Sequence, residues 1–129
     1  MARIERFEDI EAWRMARELT RAVYRCSSSG AFAKDFTLQN KMRRAAVSIL
    51  SNIAEGFERE GSREFAQQLA IAKGSAGEVQ AQLYVALDQR YVTDEQFNEL
   101  YQLANSTRKL IAGFMSYLKK SALRGSKYK

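Results

Sequence analysis

The stretch from Ser62 to Gln89, SREFAQQLAIAKGSAGEVQAQLYVALDQ, decides the fold. Phe65, Leu69, Ala72, Ala76, Val79, Leu83 and Ala86 return at alternating steps of four and three. That spacing lines apolar side chains along one face of an α-helix, and its 3.5-residue period is the packing pattern of nearly aligned helices. The segment beyond it repeats the device with Phe97, Leu100, Ala104, Thr107, Ile111, Phe114 and Leu118. Its start is marked by Thr93-Asp94-Glu95-Gln96, a capping box in which Thr93 and Gln96 satisfy each other's free backbone N–H groups. Upstream, Leu38, Met42, Ala45, Ile49, Ile53 and Gly56 form the stripe of another helix, with Thr37 as a candidate N-cap and an end near Glu60-Gly61. The first helix carries Glu8, Asp9 and Glu11 in its opening turn, where the helix dipole favours acid. Its stripe is Trp13, Ala16, Thr20, Val23 and Tyr24, and Ser27-Ser28-Ser29-Gly30 stops it.

The helices are thus expected at about 8–27, 38–60, 63–89 and 94–121. A loop of about ten residues joins the first two, and a few residues join the others. Short links make successive helices antiparallel neighbours, which predicts an all-α, up-down-up-down four-helix bundle forming one domain over residues 1–129. The complete absence of proline fits, because proline removes a helical N–H and clashes with the preceding turn.

Composition narrows the function. The chain has no histidine, the commonest general base and metal ligand, and its single cysteine, Cys26, excludes an internal disulfide. No metal, no cofactor and no catalytic residue is expected. No apolar run approaches the roughly 20 residues of a membrane span, and Met1 to Phe7 has no signal-peptide core, so the expected location is cytoplasmic. Of the net charge of +6, five come from Lys119, Lys120, Arg124, Lys127 and Lys129 in a basic C-terminal tail, 119–129, expected to fray after about Ser121. Only +1 is left for the rest, so the folded body is far less basic than the whole chain.

Four groups of side chains stand out. Lys73-Gly74-Ser75-Ala76-Gly77 has a faint likeness to a phosphate loop, but lacks the G-x-x-x-x-G-K-[ST] order and lies inside a helical heptad. Arg44, Ser48, Asn52, Glu55 and Arg59 share one face of the second helix beside strongly apolar neighbours, and Glu78 and Gln82 are polar positions on the third. They form either a solvated face or a partly buried hydrogen-bond network, with Asn52, Glu55 and an arginine as a sensible unit. A Glu55–Glu78 pair holding a cation is the less common alternative. Ala70, Gly74, Gly77 and Ala81 make a ridge of small residues away from the third helix's heptad stripe. Each glycine there costs roughly 1 kcal/mol relative to alanine, which close packing against a partner would offset. With the apolar flank Leu50, Ala54 and Phe57 on the second helix, this ridge is a candidate oligomer interface. Finally, Arg14, Arg17, Arg21 and Arg25 form a basic stripe that, with the tail, is the candidate surface for RNA or DNA. Tyr128 could add base stacking, while Glu11 and Glu18 partly neutralise the arginines.

These motifs resemble a known family. Phe7-Glu8-Asp9-Ile10-Glu11-Ala12-Trp13 is similar to the opening F-x-D-L-x-x-W of the 23S rRNA intervening-sequence proteins, also called four-helix bundle proteins. Leu38-Gln39, Arg43-Arg44-Ala45-Ala46-Val47-Ser48-Ile49 and Ser51-Asn52-Ile53-Ala54-Glu55-Gly56-Phe57-Glu58-Arg59 resemble its second helix. Phe65, Leu69, Ile71-Ala72, Gly74-Ser75, Glu78 and Leu83 resemble its third, so that the likeness covers about residues 7–118. Family members often have proline where this chain has Leu50. The resemblance implies a left-handed bundle, a homo-oligomer that in characterised relatives is a pentamer with a central channel, and no established enzymatic activity. It also implies bacterial origin, and a link to nucleic acid through the accessory proteins of diversity-generating retroelements, a related branch. The expected function is a non-enzymatic homo-oligomeric bundle that binds RNA or DNA weakly or with a partner protein. The alternative is a structural or protein-interaction scaffold with no nucleic-acid role.

Overall fold

Four long helices account for nearly all of residues 4–123, which the computed structural model describes. They are α1 (Glu11–Cys26), α2 (Phe36–Glu58), α3 (Ser62–Asp88) and α4 (Asp94–Leu123), with single 3₁₀ turns at Phe7–Asp9 and Phe32–Lys34. Each helix packs on its neighbour in sequence, and α1 closes the ring against α4. That is the up-down-up-down bundle expected from the short connections. α1 and α3 therefore stand at opposite corners. No strand occurs, and no helix is long and apolar enough to cross a membrane, among the described residues.

The stripes of α2 and α3 are buried at every position named from the spacing, from Leu38 to Gly56 and from Phe65 to Ala86. On α4, Leu100, Ala104, Thr107, Ile111 and Leu118 are buried, while Phe97 and Phe114 are half-buried at its edges. Thr107 satisfies its hydroxyl inside the core by donating to the Leu103 carbonyl at 2.7 Å. The α4 capping box forms as expected: Thr93 N–H donates to Gln96 Oε1 at 2.8 Å, and Gln96 N–H to Thr93 Oγ1 at 3.0 Å.

Several boundaries and stripe members differ from expectation. α1 is buried through Ala12, Ala16, Leu19 and Val23, whereas Tyr24 is exposed and Trp13 and Thr20 are half-buried. The core-facing line therefore runs one position to the side of the stripe read from the sequence. The N-cap of α2 is Asp35, whose carboxylate accepts from Leu38 N–H at 3.1 Å, and Thr37 lies inside the helix. The connection from α1 to α2 is anchored by Phe32, which is buried and stacks on Tyr91 with centroids 5.2 Å apart. Lys119 and Lys120 belong to α4, which continues to Leu123, so the segment counted as tail begins as helix.

The tightest constraint lies at the α2–α3 hairpin. A Cβ built on Gly56 would meet Phe65 Cδ1 at 2.7 Å and Gln68 Cβ at 2.9 Å. Phe65 cannot move aside freely: it is buried and packs edge-on against Phe57 and Phe114. Gly56→Ala should therefore force the helices apart and lower stability by about 1–3 kcal/mol, despite alanine's better helix propensity. Urea denaturation followed by circular dichroism measures this, and a stabilised variant would contradict the packing described.

Candidate functional site

The basic stripe on α1 is exposed, but its members are not equally free. Arg14 donates through Nε to the Glu8 carbonyl at 2.8 Å and lies 4.0 Å from Asp9. Arg21 pairs with Glu18 at 3.2 Å. Arg17 lies over the Trp13 ring, 6.0 Å from its centroid. Arg25 has no carboxylate partner among the described residues. Neutralisation thus comes from Glu18, as read from the sequence, and from Asp9 in place of Glu11. Lys119 and Lys120 are exposed on α4. Arg124, Lys127, Tyr128 and Lys129 lie outside the described residues.

The polar stripe of α2 separates into two units. Ser48 Oγ lies 2.9 Å from Ser75 Oγ across the α2–α3 contact, and Asn52 Nδ2 donates to the Ser48 carbonyl at 2.8 Å and to its Oγ at 3.0 Å. Ser75 is buried, and Ser48 and Asn52 are half-buried, so this unit is the partly buried network. Glu55 does not join it. It pairs with Arg59 at 3.4 Å and accepts from Gln68 Nε2 in the solvent. Arg44 and Glu78 are exposed. Ser48 faces Ser75, and Glu55 faces Gln68, so Glu78 lies ten positions along α3 from the level of Glu55, or about 15 Å at 1.5 Å per residue. That distance leaves no shared cation position.

The small ridge of α3 faces outwards. Nothing lies within 4 Å of a Cβ built on Gly74 or Gly77, and Ala70 and Ala81 are exposed. Sequence reading missed its apolar companions: Ile71, Tyr84 and Val85 are 52%, 51% and 46% exposed. The signal was present, since Ile71, Gly74, Glu78, Ala81 and Val85 follow steps of three and four. The flank on α2 is different. Leu50 and Phe57 pack partly on the chain's own core, and Ala54 is half-buried beside them. Lys73-Gly74-Ser75-Ala76-Gly77 is uninterrupted helix, so its amides are not gathered into a phosphate cradle.

Two further polar clusters emerge only in three dimensions. Arg43 of α2 reaches the end of α1: its Nε donates to Ser27 Oγ at 2.9 Å, its Nη2 to Ser28 Oγ at 3.0 Å, and its cation lies 4.4 Å from the Tyr24 ring centroid. Gln39 Nε2 donates to the Ser27 carbonyl at 2.7 Å. Together they satisfy groups that a helix C-terminus leaves open. Across the same end of the bundle, Tyr91 Oη donates to Asp35 Oδ2 at 2.9 Å, tying the α3–α4 turn to the α2 cap.

The sequence profile of the 23S rRNA-intervening sequence proteins matches residues 8–113. The chain belongs to this family. A crystal structure of a protein of unknown function from the S23 ribosomal protein family of Bacteroides thetaiotaomicron VPI-5482 has the same fold. Its TM-score is 0.74 at 21% identity, over 81% of this chain and 97% of that one. No curated protein matches the sequence.

Several of the residues that resemble the family now have internal duties. Phe7 packs edge-on against Trp13 at 5.1 Å, and Ile10 is buried. Asp9 accepts from the backbone N–H groups of Glu5 at 3.0 Å and Arg6 at 3.2 Å, which hold its carboxyl below the usual carboxylate range. Asn52, Ser75 and Gly56 act in the α2–α3 contact. Gly74 and Glu78 have no such internal role among the described residues.

The Tyr91–Asp35 bond predicts a pH effect. The phenol donates to a carboxylate, and its ionised form would face that negative charge, so its pKa is raised. Its contribution is complete below about pH 10, the value of a free tyrosine, and is lost as the pH climbs through the higher folded value. The stability gap between the protein and Tyr91→Phe should therefore shrink as alkaline pH rises. Denaturant midpoints from pH 8 to 12 (an approximate range) test this, and a gap independent of pH would contradict it.

Proposed function

We propose that this chain is a non-enzymatic subunit of a homo-oligomer, and that the assembled form binds RNA or DNA through sequence-tolerant phosphate contacts. The observation that carries the reading is the outer face of α3. Gly74 and Gly77 lie there with nothing within 4 Å of their Cβ positions, between the exposed Ile71, Tyr84 and Val85. Two mid-helix glycines are destabilising in a lone bundle. A second backbone approaching this face would offset that cost, because small residues allow close helix contact. The half-exposed flank Leu50, Ala54 and Phe57 offers a different surface, as a head-to-tail ring requires. A pentamer is the number expected from the family resemblance.

The nucleic-acid reading follows from the corners of the bundle. Contact through α3 leaves the diagonally placed α1, with Arg14, Arg17, Arg21 and Arg25, on the outside of the assembly. A body of charge near +1 is a poor phosphate binder, but a ring repeats the stripe and the basic C-terminal segment once per subunit, raising the local potential. The family resemblance supports the same direction through a related branch, the retroelement accessory proteins, which bind nucleic acid. The Arg14–Asp9 and Arg21–Glu18 contacts favour the second reading, a scaffold with no nucleic-acid role. Catalysis is set aside because the chain has no histidine and because Glu55 and Glu78 are far apart.

Light scattering at micromolar concentration should report an oligomer, and Gly77→Leu should dissociate it while leaving each bundle folded. Gly74→Ala discriminates further. On a free surface it would stabilise the fold by roughly 1 kcal/mol, whereas at a contact it weakens assembly. A monomeric wild type, or an unchanged oligomer in Gly77→Leu, would refute the contact.

Binding of labelled RNA and DNA should fall steeply with salt through counterion release. Replacing Arg17, Arg21 and Arg25 by glutamine should flatten that dependence. If the intact oligomer fails to bind either nucleic acid even at low salt, the scaffold reading replaces this one.

A further inference from the structure

The end of α3 carries an arginine where the backbone favours glycine. Arg90 N–H donates to the Leu87 carbonyl at 3.0 Å and Tyr91 N–H to the Ala86 carbonyl at 2.9 Å, the paired bonds of a Schellman turn. The residue after the cap must then be left-handed, and Arg90 has φ +61°. A Cβ there is unfavourable, and glycine is the usual solution. The chain uses glycine at the other two positive-φ positions described, Gly30 and Gly61. The turn thus imposes a conformation that costs an arginine more than a glycine, and residues kept in such conformations collect at binding sites.

Arg90 opens onto a cleft of about 480 Å³ between the end of α1, the α1–α2 loop and the start of α4. Arg25, Cys26, Tyr91, Gln96 and Glu99 also line it. Neither arginine has a carboxylate within 4 Å among the described residues, although Glu99 shares the cleft. The Tyr91 wall is rigid, stacked on Phe32 and bonded to Asp35. Gln96 is fixed through its Oε1 in the capping box, which leaves its amide N–H groups available. Burial pushes the Cys26 thiol up to about 11, so it stays protonated and adds no charge.

We propose that this cleft binds a small phosphomonoester bearing hydroxyl groups, of the nucleoside monophosphate or sugar phosphate class. Arg25 and Arg90 hold the phosphate, and Glu99 accepts from a hydroxyl. Guanidinium groups match phosphate oxygens with paired charge-assisted hydrogen bonds. Glu99 repels a bare phosphate but becomes a favourable partner once the ligand brings a hydroxyl donor. The cleft volume lies within the range of small-molecule sites. The site lies within one chain and depends neither on assembly nor on nucleic-acid binding.

Calorimetric titration of the full chain with adenosine 5′-monophosphate, ribose 5-phosphate and inorganic phosphate tests this. The two esters should bind saturably and inorganic phosphate more weakly. A preference for the nucleotide over ribose 5-phosphate assigns the base to the Tyr91 wall, and equal affinity assigns the ligand to the sugar phosphates. Arg25→Gln should weaken ester binding about tenfold, the scale of one lost charge-assisted hydrogen bond. Glu99→Gln should narrow the gap between ribose 5-phosphate and inorganic phosphate. Arg90→Gly is the decisive variant, since relief of strain should raise Tm by a few degrees while binding falls about tenfold. Arg63→Gln removes a positive charge near the other end of the bundle and should leave affinity unchanged. Full affinity in Arg90→Gly, equal weakening in Arg63→Gln, or no saturable binding of either ester would overturn the proposal.

Discussion

The close approach of α2 and α3 at Gly56 governs much of the rest of the molecule. Phe65 and the Gln68 Cβ occupy the space a side chain at Gly56 would need, which fixes both the separation and the axial register of the two helices. With that register set, Ser48 comes opposite Ser75, and a hydroxyl pair closes the contact further along. Asn52 then uses its amide N–H groups on Ser48, so the two hydroxyls and the Asn52 amide nitrogen have partners here. An unpaired polar group in such a place would cost more than the bond itself contributes. The same register determines which side of α3 is left outside. Because Ser75 and the heptad stripe turn inwards, Gly74, Glu78 and Ala81 turn outwards. The bare ridge is thus a geometric consequence of how α3 packs on α2 and α4.

Legibility in the sequence followed the purity of each pattern. α3 and α4 keep strict heptads, and their core positions could be read one by one. In α1, apolar character at Trp13 and Tyr24 drew the stripe aside, because both rings are amphipathic enough to lie at an edge. Leu19, fully buried, fell just outside the chosen line. The cap of α2 was ambiguous for a similar reason: Asp35 and Thr37 are both good N-cap residues, and the Tyr91 hydroxyl that helps hold Asp35 is distant in sequence. Periodicity placed Arg44, Ser48, Asn52 and Glu55 along α2, while Arg59 is its C-cap, in extended backbone just past the helix. Periodicity could not say where that stripe crosses from buried to exposed, which depends on the α2–α3 register. Arg43 stands in the stretch that resembles the family, but its contacts are not legible there, since its partners Ser27 and Ser28 are a loop away and no local spacing announces them.

Charge placement connects the fold to the functional reading. Acidic residues are drawn to the beginnings of α1 and α4, where the helix dipole and the free N–H groups hold them. Part of the positive charge of α1 is compensated as well, by Asp9 ahead of the helix at Arg14 and by Glu18 within it at Arg21. What remains is a gradient along α1. Arg14 and Arg21 are partly neutralised, Arg17 lies over the Trp13 ring, and Arg25 at the helix end is free of carboxylates among the described residues. A polyanion meeting α1 would therefore find its least compensated charge near the α1–α2 loop. Exposed ion pairs of this kind contribute little to stability, so they can exchange for phosphate contacts at small cost.

The three arginines near that end show how position divides one chemistry. Arg43 is half-buried, and its guanidinium is consumed by Ser27, Ser28 and the Tyr24 ring, so it closes α1 and has little left for a ligand. Arg25, on α1, and Arg90, in the α3–α4 turn, both line the cleft. α1 does not need Arg90 to terminate, and α3 would terminate better with glycine in its place. Helix capping therefore accounts for Arg43 and leaves Arg90 without a structural reason. The turn explains the left-handed conformation, while the choice of arginine there is better explained by the cleft it shares with Arg25, which has no carboxylate partner among the described residues, and with the Tyr91 ring.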